Sequence, residues 1–176
     1  FDSAKPKYVR GGNVKEVNQL VKDMNAGNVS VLIMSGVNPV YSLYNGNAFA
    51  EGLKKVKTSV SFTLREDETA SLTTIAAAAP HYLESWGDVQ MKKGHYSVIQ
   101  PTIRPLFDSK QIQDALLSWT ENSSEYYEYL KNYWTSSVLS GKTWNQAVHD
   151  GFFVVQNTFV NSTPSIAASS AASSLV

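Results

Sequence analysis

The chain has 176 residues, of which 15 are basic and 15 are acidic, so its formal net charge is zero. It has no cysteine, and this excludes a disulfide scaffold, a thiolate metal site, an iron–sulfur cluster and a cysteine nucleophile within these residues. A balanced charge argues against nucleic acid as the main partner, because phosphate binding needs an excess of Lys and Arg. No apolar run reaches the roughly 18 residues that a membrane-spanning helix needs.

The first half of the chain alternates between predicted helices and strands. Apolar residues between 14 and 24 recur at helical spacing, and the β-branched run at 29–34 predicts a buried strand. A second helix is predicted at 48–56 and a second strand at 58–64, while the alanine-rich segment 75–79 could be a third strand. This alternation predicts an α/β fold of three layers, with a mainly parallel sheet and helices on both faces.

The second half is predicted to be richer in helix. Residues 81–88 indicate a turn or a single helical turn, 97–100 a strand, and the bracketing prolines predict an extended segment at 101–105. Helices are predicted around 112–119, 124–139 and 143–151, followed by a strand at 152–155. The expected organisation is an extended N-terminal segment (1–13), one α/β domain (14–160) and an uncharged Ser/Ala-rich tail (161–176) that is a loop or disordered. Because the chain begins with Phe1, we expect it to be a processed chain or part of a longer one.

Two polar clusters follow predicted strands, at the edge where open parallel sheets bind ligands. In Gly36-Val37-Asn38-Pro39, the glycine permits a close backbone approach and the asparagine amide could read a polar group, although the same residues also make an ordinary turn. Glu66, Asp67 and Glu68 could orient a ribose or bind a hard cation, or could cap the next helix as a solvated loop.

A third cluster contains histidines and carboxylates. His81 and Glu84 are three residues apart, with Asp88 and His95 further on, and this spacing is workable for a metal site. The neighbouring Tyr82, Leu83 and Trp86 favour packing instead. The chain has no glycine-rich dinucleotide motif, no phosphate-binding P-loop and no Gly-x-Ser-x-Gly motif.

Taken in order, several short motifs resemble one family. Ser-Gly-Val-Asn-Pro at 35–39, Glu-Thr-Ala at 68–70, and Pro80 followed by Leu-Glu-Ser-Trp-Gly-Asp at 83–88 resemble an α/β domain of the molybdopterin oxidoreductases. With the further stretch Gln-Pro-Thr-Ile-Arg-Pro-Leu-Phe-Asp at 100–108, the chain resembles the large iron–sulfur subunit of bacterial alternative complex III over residues 12–155. That subunit fuses a molybdopterin-oxidoreductase-like part to a ferredoxin-like part.

The resemblance implies a set of cofactor-side residues. In catalytic relatives, the Gly-x-Asn-Pro turn and the loop after the next strand line the nucleotide part of a molybdenum–pterin cofactor. By that resemblance, Gly36, Asn38, Pro39, Arg65 and Glu68 lie along the cofactor side. The usual relatives have an Ala-Asp-hydrophobic stretch before the proline, whereas this chain has Thr73-Thr74-Ile75 and alanines. The resemblance therefore implies the fold without the molybdenum cofactor.

We accordingly expect a scaffold domain of a respiratory membrane-complex subunit that takes part in quinol oxidation and electron transfer. Iron–sulfur clusters would lie elsewhere in the parent subunit, and the isolated chain would be inactive. It would pack against other domains and subunits at the periplasmic side of a bacterial inner membrane. The alternatives are a catalytic oxidoreductase domain that contacts the nucleotide part of the pterin cofactor, and a small-ligand-binding α/β module unrelated to respiration.

Overall fold

The computed structural model describes Lys7 and residues 12–120 and 124–155. Its helices are α1 (Val14–Asn25), α2 (Pro39–Ser42), α3 (Gly46–Leu53), α4 (Ile112–Trp119), α5 (Tyr126–Tyr133) and α6 (Trp144–Asp150). Its strands are β1 (Val31–Ser35), β2 (Thr58–Thr63), β3 (Ile75–Ala78), β4 (Gly87–Lys92), β5 (His95–Ile99) and β6 (Phe152–Val154). The predicted tail at 161–176 and most of the predicted N-terminal segment lie outside the described residues.

The first three strands form the parallel sheet that the sequence predicts. The strand order is β1-β2-β3, with Val31 opposite Thr58 and Val60 opposite Ile75. Alternate residues of a strand point to opposite faces, so β1 and β2 present different side chains to the two sides of the sheet. Helices contact both faces. One cluster joins Met34 of β1 to α1 and α3, and another joins Val60 and Phe62 of β2 to Ala115 of α4.

Close packing of α1 against α3 depends on a glycine. Met24 and Leu53 are fully buried where the two helices meet. A Cβ atom on Gly52 would lie 2.9 Å from Asn25 Nδ2 and 2.9 Å from Met24 Cβ, which is closer than side chains pack. Asn25 also links the helices, because its Nδ2 donates to the carbonyl of Ala48 at 2.8 Å. This contact fixes α1 and α3 as one layer on the sheet.

The remaining strands form a second, antiparallel sheet that was not predicted. Its order is β4-β5-β6, and a turn at Gly94, with φ of 76°, joins β4 to β5. The apolar Val89 and Met91 of β4 are 37% and 62% exposed, so the outward face of this strand is the apolar one. The residues Asp-Val-Gln-Met-Lys at 88–92 do alternate in polarity, but residues 81–88 were interpreted as a turn and β4 was not predicted. The prediction of a mainly parallel sheet therefore holds for β1–β3 alone.

An aromatic cluster fills the space between the second sheet and the C-terminal helices. Its buried members are Leu130, Trp134, Val138, Trp144, Ala147 and Phe153. The helix predicted at 124–139 is α5 followed by a π-helical turn over Trp134–Val138, in which Leu139 N donates to Trp134 O at 2.8 Å. Trp134 is fully buried, and its Nε1 donates to Asp88 Oδ2 at 2.8 Å, which anchors α5 to the start of β4.

Candidate functional site

The loops that follow β1 and β2 meet at the carboxyl edge of the parallel sheet. The first loop begins at Gly36, whose φ of 63° lies in the left-handed region that favours glycine. Gly36 N donates to the carbonyl of Phe62 at 3.0 Å, so the turn is bonded to the last residues of β2. This backbone geometry brings the Gly-x-Asn-Pro turn beside the acidic loop, as the sequence interpretation required.

Asn38 joins the two loops with both atoms of its side-chain amide. Its Nδ2 donates to Glu68 Oε2 at 2.6 Å, and its Oδ1 accepts from Thr69 Oγ1 at 2.7 Å. Thr69 is fully buried, and its hydroxyl also accepts from Val40 N at 3.0 Å. Each atom of the asparagine amide thus has one partner within the chain, and one N–H and one lone pair remain.

Pro39 and Asp67 have local roles in holding these loops. Pro39 is the buried first residue of α2, a position where proline leaves no helical hydrogen bond unmade. Asp67 Oδ1 accepts from Thr69 N at 3.0 Å and from Ala70 N at 2.8 Å, at the start of a short 3₁₀ helix over Ala70–Leu72. The capping interpretation of the acidic run is thus correct for Asp67.

Glu68 is the carboxylate whose ionisation the site alters. The hydrogen bond from Asn38 holds the pKa of Glu68 below its ordinary value, and its own backbone N–H and the charge of Arg65 act in the same direction. The side chain is therefore firmly anionic at neutral pH. Two further carboxylates, of Glu66 and Asp67, lie in the same loop.

These residues border a cleft of about 750 Å³. It is lined by Asn38, Tyr41, Arg65, Glu66, Asp67, Glu68 and Ser71. Of the five residues predicted for a cofactor, Asn38, Arg65 and Glu68 line the cleft, whereas Gly36 and Pro39 shape the adjacent turn. Tyr41 and Ser71 also line the cleft and were not predicted. Each lies two or three residues after one of the two polar motifs, and this position could have indicated it.

The lining does not suit a nucleotide carrying phosphates. Three carboxylates face one guanidinium, that of Arg65, so the cleft is negative where phosphate oxygens would bring more negative charge. The amide of Asn38 is bonded to Glu68 and Thr69, which leaves one N–H donor and one acceptor lone pair for a ligand. The misfit is therefore one of charge, between the carboxylates of the cleft and the phosphates of a pterin-cofactor nucleotide.

The histidine–carboxylate cluster serves the local backbone. His81 Nδ1 accepts from Leu83 N at 3.4 Å, and Glu84 Oε2 accepts from His81 N at 2.9 Å, so the pair caps a 3₁₀ turn over Tyr82–Glu84. Asp88 accepts the indole N–H of Trp134. Within residues 12–120 and 124–155, together with Lys7, no three His, Asp or Glu side chains are grouped to hold a metal ion. His81 and Glu84 thus cap a local turn and Asp88 anchors Trp134, while Trp86 packs against the aromatic cluster.

A second cleft, of about 820 Å³, lies where α4 and α5 approach the 84–86 segment. It is lined by Glu84, Ser85, Trp86, Ser109, Lys110, Gln111, Asp114, Ser118, Ser124, Glu125, Tyr126 and Tyr127. Burial, followed by the charge of Asp88 and by Tyr129 and Asp114, raises the pKa of Tyr126 to about 12, so its phenol stays protonated. The sequence did not predict this cleft, because its walls come from three separated segments.

Comparison with known proteins supports the resemblance at a coarse level. No protein-family model matches the chain. A segment of 91 residues is 37% identical to the menaquinone reductase, molybdopterin-binding-like subunit of Nitratidesulfovibrio vulgaris (strain Hildenborough). The match covers 49% of this chain and 13% of that relative, so the chain corresponds to a small part of the relative's length. This similarity supports a molybdopterin-oxidoreductase-like relationship. None of the helices in the described parts of the chain could cross a membrane.

Proposed function

We propose that this chain is a molybdopterin-oxidoreductase-like scaffold domain in the large iron–sulfur subunit of a bacterial alternative complex III. In this proposal the domain holds no redox centre of its own. The subunit takes part in quinol oxidation and electron transfer at the periplasmic side of the inner membrane, with its iron–sulfur clusters in other parts of the polypeptide. The domain's task is to pack against the other domains and subunits.

The similarity to a subunit of a menaquinone reductase supports the respiratory part of the proposal. That relative is named molybdopterin-binding-like, and it is a subunit of a quinone-linked oxidoreductase by its name. The motifs at 35–39 and 83–88, which resemble the molybdopterin oxidoreductases, agree with a relationship of this kind, and the stretch at 100–108 is what suggested alternative complex III.

The hydrogen bonds of Asn38 carry the scaffold part of the proposal. Each amide atom of Asn38 has a partner in the loop after β2, which is Glu68 for Nδ2 and Thr69 for Oδ1. Opening these bonds would leave the buried hydroxyl of Thr69 without its acceptor, which is costly. The hydrogen bonds of Asn38 to Glu68 and Thr69 thus hold the loops after β1 and β2 together.

A second candidate function is the cofactor-binding domain of a catalytic molybdopterin oxidoreductase. The observation in its favour is that Asn38, Arg65 and Glu68, named from the family pattern, line one cleft. In that case the nucleotide part of the cofactor would use the remaining N–H or lone pair of the Asn38 amide.

Calorimetric titration of the purified chain with GDP separates the two functions. The scaffold proposal predicts no binding heat with the unaltered chain. Micromolar binding that is lost in Asn38→Ala, but kept in Asn47→Ala, would contradict the proposal and support the cofactor-binding function. Asn47 is an exposed residue of α3 and serves as the matched control. Circular dichroism of each variant establishes that it is folded.

A further inference from the structure

We propose that the outer edge of β1 pairs with a further strand, which is supplied by a part of the parent subunit outside these 176 residues. The added strand would extend the parallel sheet and cover the exposed apolar side chains of β1. This inference rests on the proposed function, in which the chain is one domain of a longer subunit. It names the surface through which the domain joins its neighbour.

The backbone of β1 is hydrogen-bonded to a neighbouring strand on one side. Thr58 N donates to Ser30 O at 3.1 Å, and Gly36 N donates to Phe62 O at 3.0 Å, so the even-numbered residues along β1 are bonded to β2. Successive residues of a strand direct their backbone groups to opposite sides, so the N–H and C=O groups of residues 31, 33 and 35 point away from β2. Among the described residues, none pairs with this side of β1.

The sheet face beside this edge is apolar and exposed. Val31 is 58% exposed and Ile33 is 41% exposed, whereas Val60, opposite Ile33 on β2, is 8% exposed. Helix α4 accounts for the difference, because its Ala115 packs with Val60 and Phe62 and leaves the β1 side of the face open. Parallel sheets are ordinarily covered on both faces, so the β1 side of this sheet is incomplete within the described residues.

The β1 strand lacks the features that keep an edge strand from pairing. Natural edges carry charged residues, proline or a bulge. The sequence Val-Leu-Ile-Met-Ser at 31–35 has no charged residue and no proline, and its register with β2 runs from end to end without a bulge. At the opposite edge of the sheet, Lys110 N donates to Ala78 O at 3.0 Å, so β3 already has a bond on its outer side. The edge that is open to a further strand is therefore that of β1.

A segment of the same polypeptide suits this edge better than a second copy of the chain. Pairing along five residues buries far less than the roughly 800 Å² per partner that a stable complex between separate proteins needs. A segment tethered within one polypeptide has an effective concentration in the millimolar range, at which a short contact is occupied. The 91-residue match covers 13% of the relative, so a subunit of that length has ample polypeptide to supply the strand.

Amide hydrogen exchange tests the proposal by comparing the 176-residue chain with the full-length subunit expressed from its complete reading frame. We expect the fragment 31–35 to exchange at least about tenfold more slowly in the full-length subunit, because its outward N–H groups gain acceptors there. The fragment 58–63 is the internal control. It covers β2, which is paired on both sides, and it should be protected in both proteins.

The variant Val31→Lys tests the part played by the apolar side chain. Val31 is exposed, so the 176-residue variant should stay folded, which circular dichroism can establish. In the full-length subunit, a charge at this position opposes pairing and should speed the exchange of 31–35 about tenfold. The matched control Leu64→Lys changes a residue that is 65% exposed beyond the end of β2, and it should leave the exchange of 31–35 unchanged.

Equal exchange of the fragment 31–35 in the two proteins would overturn the proposal. Slow exchange of this fragment in the 176-residue chain would also overturn it, and sedimentation would then distinguish a second copy from a segment of the same chain as the occupant. The scaffold proposal fails separately. Stoichiometric molybdenum and pterin in a full-length subunit whose β1 is protected would contradict the scaffold role and still support the added strand, and a cofactor-free subunit with unprotected β1 would do the reverse.

Discussion

At the scale of single residues, Asn38 links two loops that are about thirty positions apart in the chain. The same amide that the family pattern names as a cofactor contact is bonded to Glu68 at 2.6 Å and to Thr69 at 2.7 Å. Sequence alone could name this residue but could not reveal its partners, because these arise only when the loops after β1 and β2 meet at the sheet edge.

Replacement of Asn38 tests whether the amide stabilises the fold. We expect Asn38→Ala to lower the free energy of unfolding by about 1–3 kcal/mol, because the buried hydroxyl of Thr69 loses its acceptor. Urea denaturation followed by circular dichroism gives this value. The exposed Asn47→Ala should change stability by less than about 0.5 kcal/mol, and an equal loss in the two variants would contradict the role of Asn38.

The charge of Glu68 should make the stability of this contact between the two loops depend on pH. Its folded-state pKa lies below the ordinary value of 4.5, through the bond from Asn38 first, so its ionisation favours the folded state. The stabilisation of the fold by the ionised Glu68 is fully present at pH values above 4.5. It is lost as the pH falls through the lowered pKa of the folded state. In thermal melts, Glu68→Gln should therefore be less stable than the unaltered chain at neutral pH and equally stable in strong acid. Glu66→Gln is the control, and a pH-independent gap for Glu68→Gln would refute the linkage.

At the scale of elements, β2 contains two buried serines in different hydrogen-bonding states. Ser59 and Ser61 are 1% and 0% exposed on the same face of the strand, next to Leu32 and Met34 of β1. Ser59 Oγ accepts from Thr74 N at 2.9 Å and lies 3.2 Å from Thr74 Oγ1. Ser61 Oγ is buried without a hydrogen-bond partner. The Ser59 hydroxyl therefore joins β2 to the start of β3. The Ser61 hydroxyl makes no hydrogen bond that would offset the cost of its burial.

The two serines should respond oppositely to the same substitution. Ser59→Ala is expected to lower the free energy of unfolding by about 1–3 kcal/mol, because Thr74 N–H is left without its acceptor. Ser61→Ala removes an unsatisfied group and should be neutral or stabilising by up to about 1 kcal/mol. Chemical denaturation of both variants provides the comparison, in which each is the other's control. A larger loss for Ser61→Ala than for Ser59→Ala would be inconsistent with these bonding states.

The elements differed in how well their burial could be predicted. Apolar residues at helical spacing predicted α1, and the apolar run predicted β1 as a buried strand, whereas Val31 and Ile33 are 58% and 41% exposed and Met34 is its buried apolar residue. The strand β4 was missed although its residues alternate in polarity, because residues 81–88 were interpreted as a turn, and the π turn after α5 needs packing around Trp134 that no local pattern encodes. The sequence placed the Gly-x-Asn-Pro turn and the acidic loop after successive strands, and parallel strands bring their following loops together at one edge.

At the scale of the whole molecule, the two sheets are joined through α4 and its neighbouring segments. Gln111 Nε2 donates to the carbonyl of Trp86 at 2.7 Å, and Tyr126 N donates to Asp114 Oδ1 at 2.7 Å. Phe62 of the parallel sheet contacts the Trp119 ring, with centroids 6.3 Å apart. These contacts fix the two sheets relative to each other.

The cofactor content of the chain, purified from bacteria that synthesise the molybdenum cofactor, tests the scaffold proposal most directly. Elemental analysis for molybdenum and iron, together with the visible absorption spectrum and a fluorescence assay for released pterin, gives the measurement. Our account predicts neither metal nor pterin in stoichiometric amount, in the unaltered chain or in Asn38→Ala. Stoichiometric molybdenum and pterin in the unaltered chain, lost in Asn38→Ala and retained in Asn47→Ala, would contradict it.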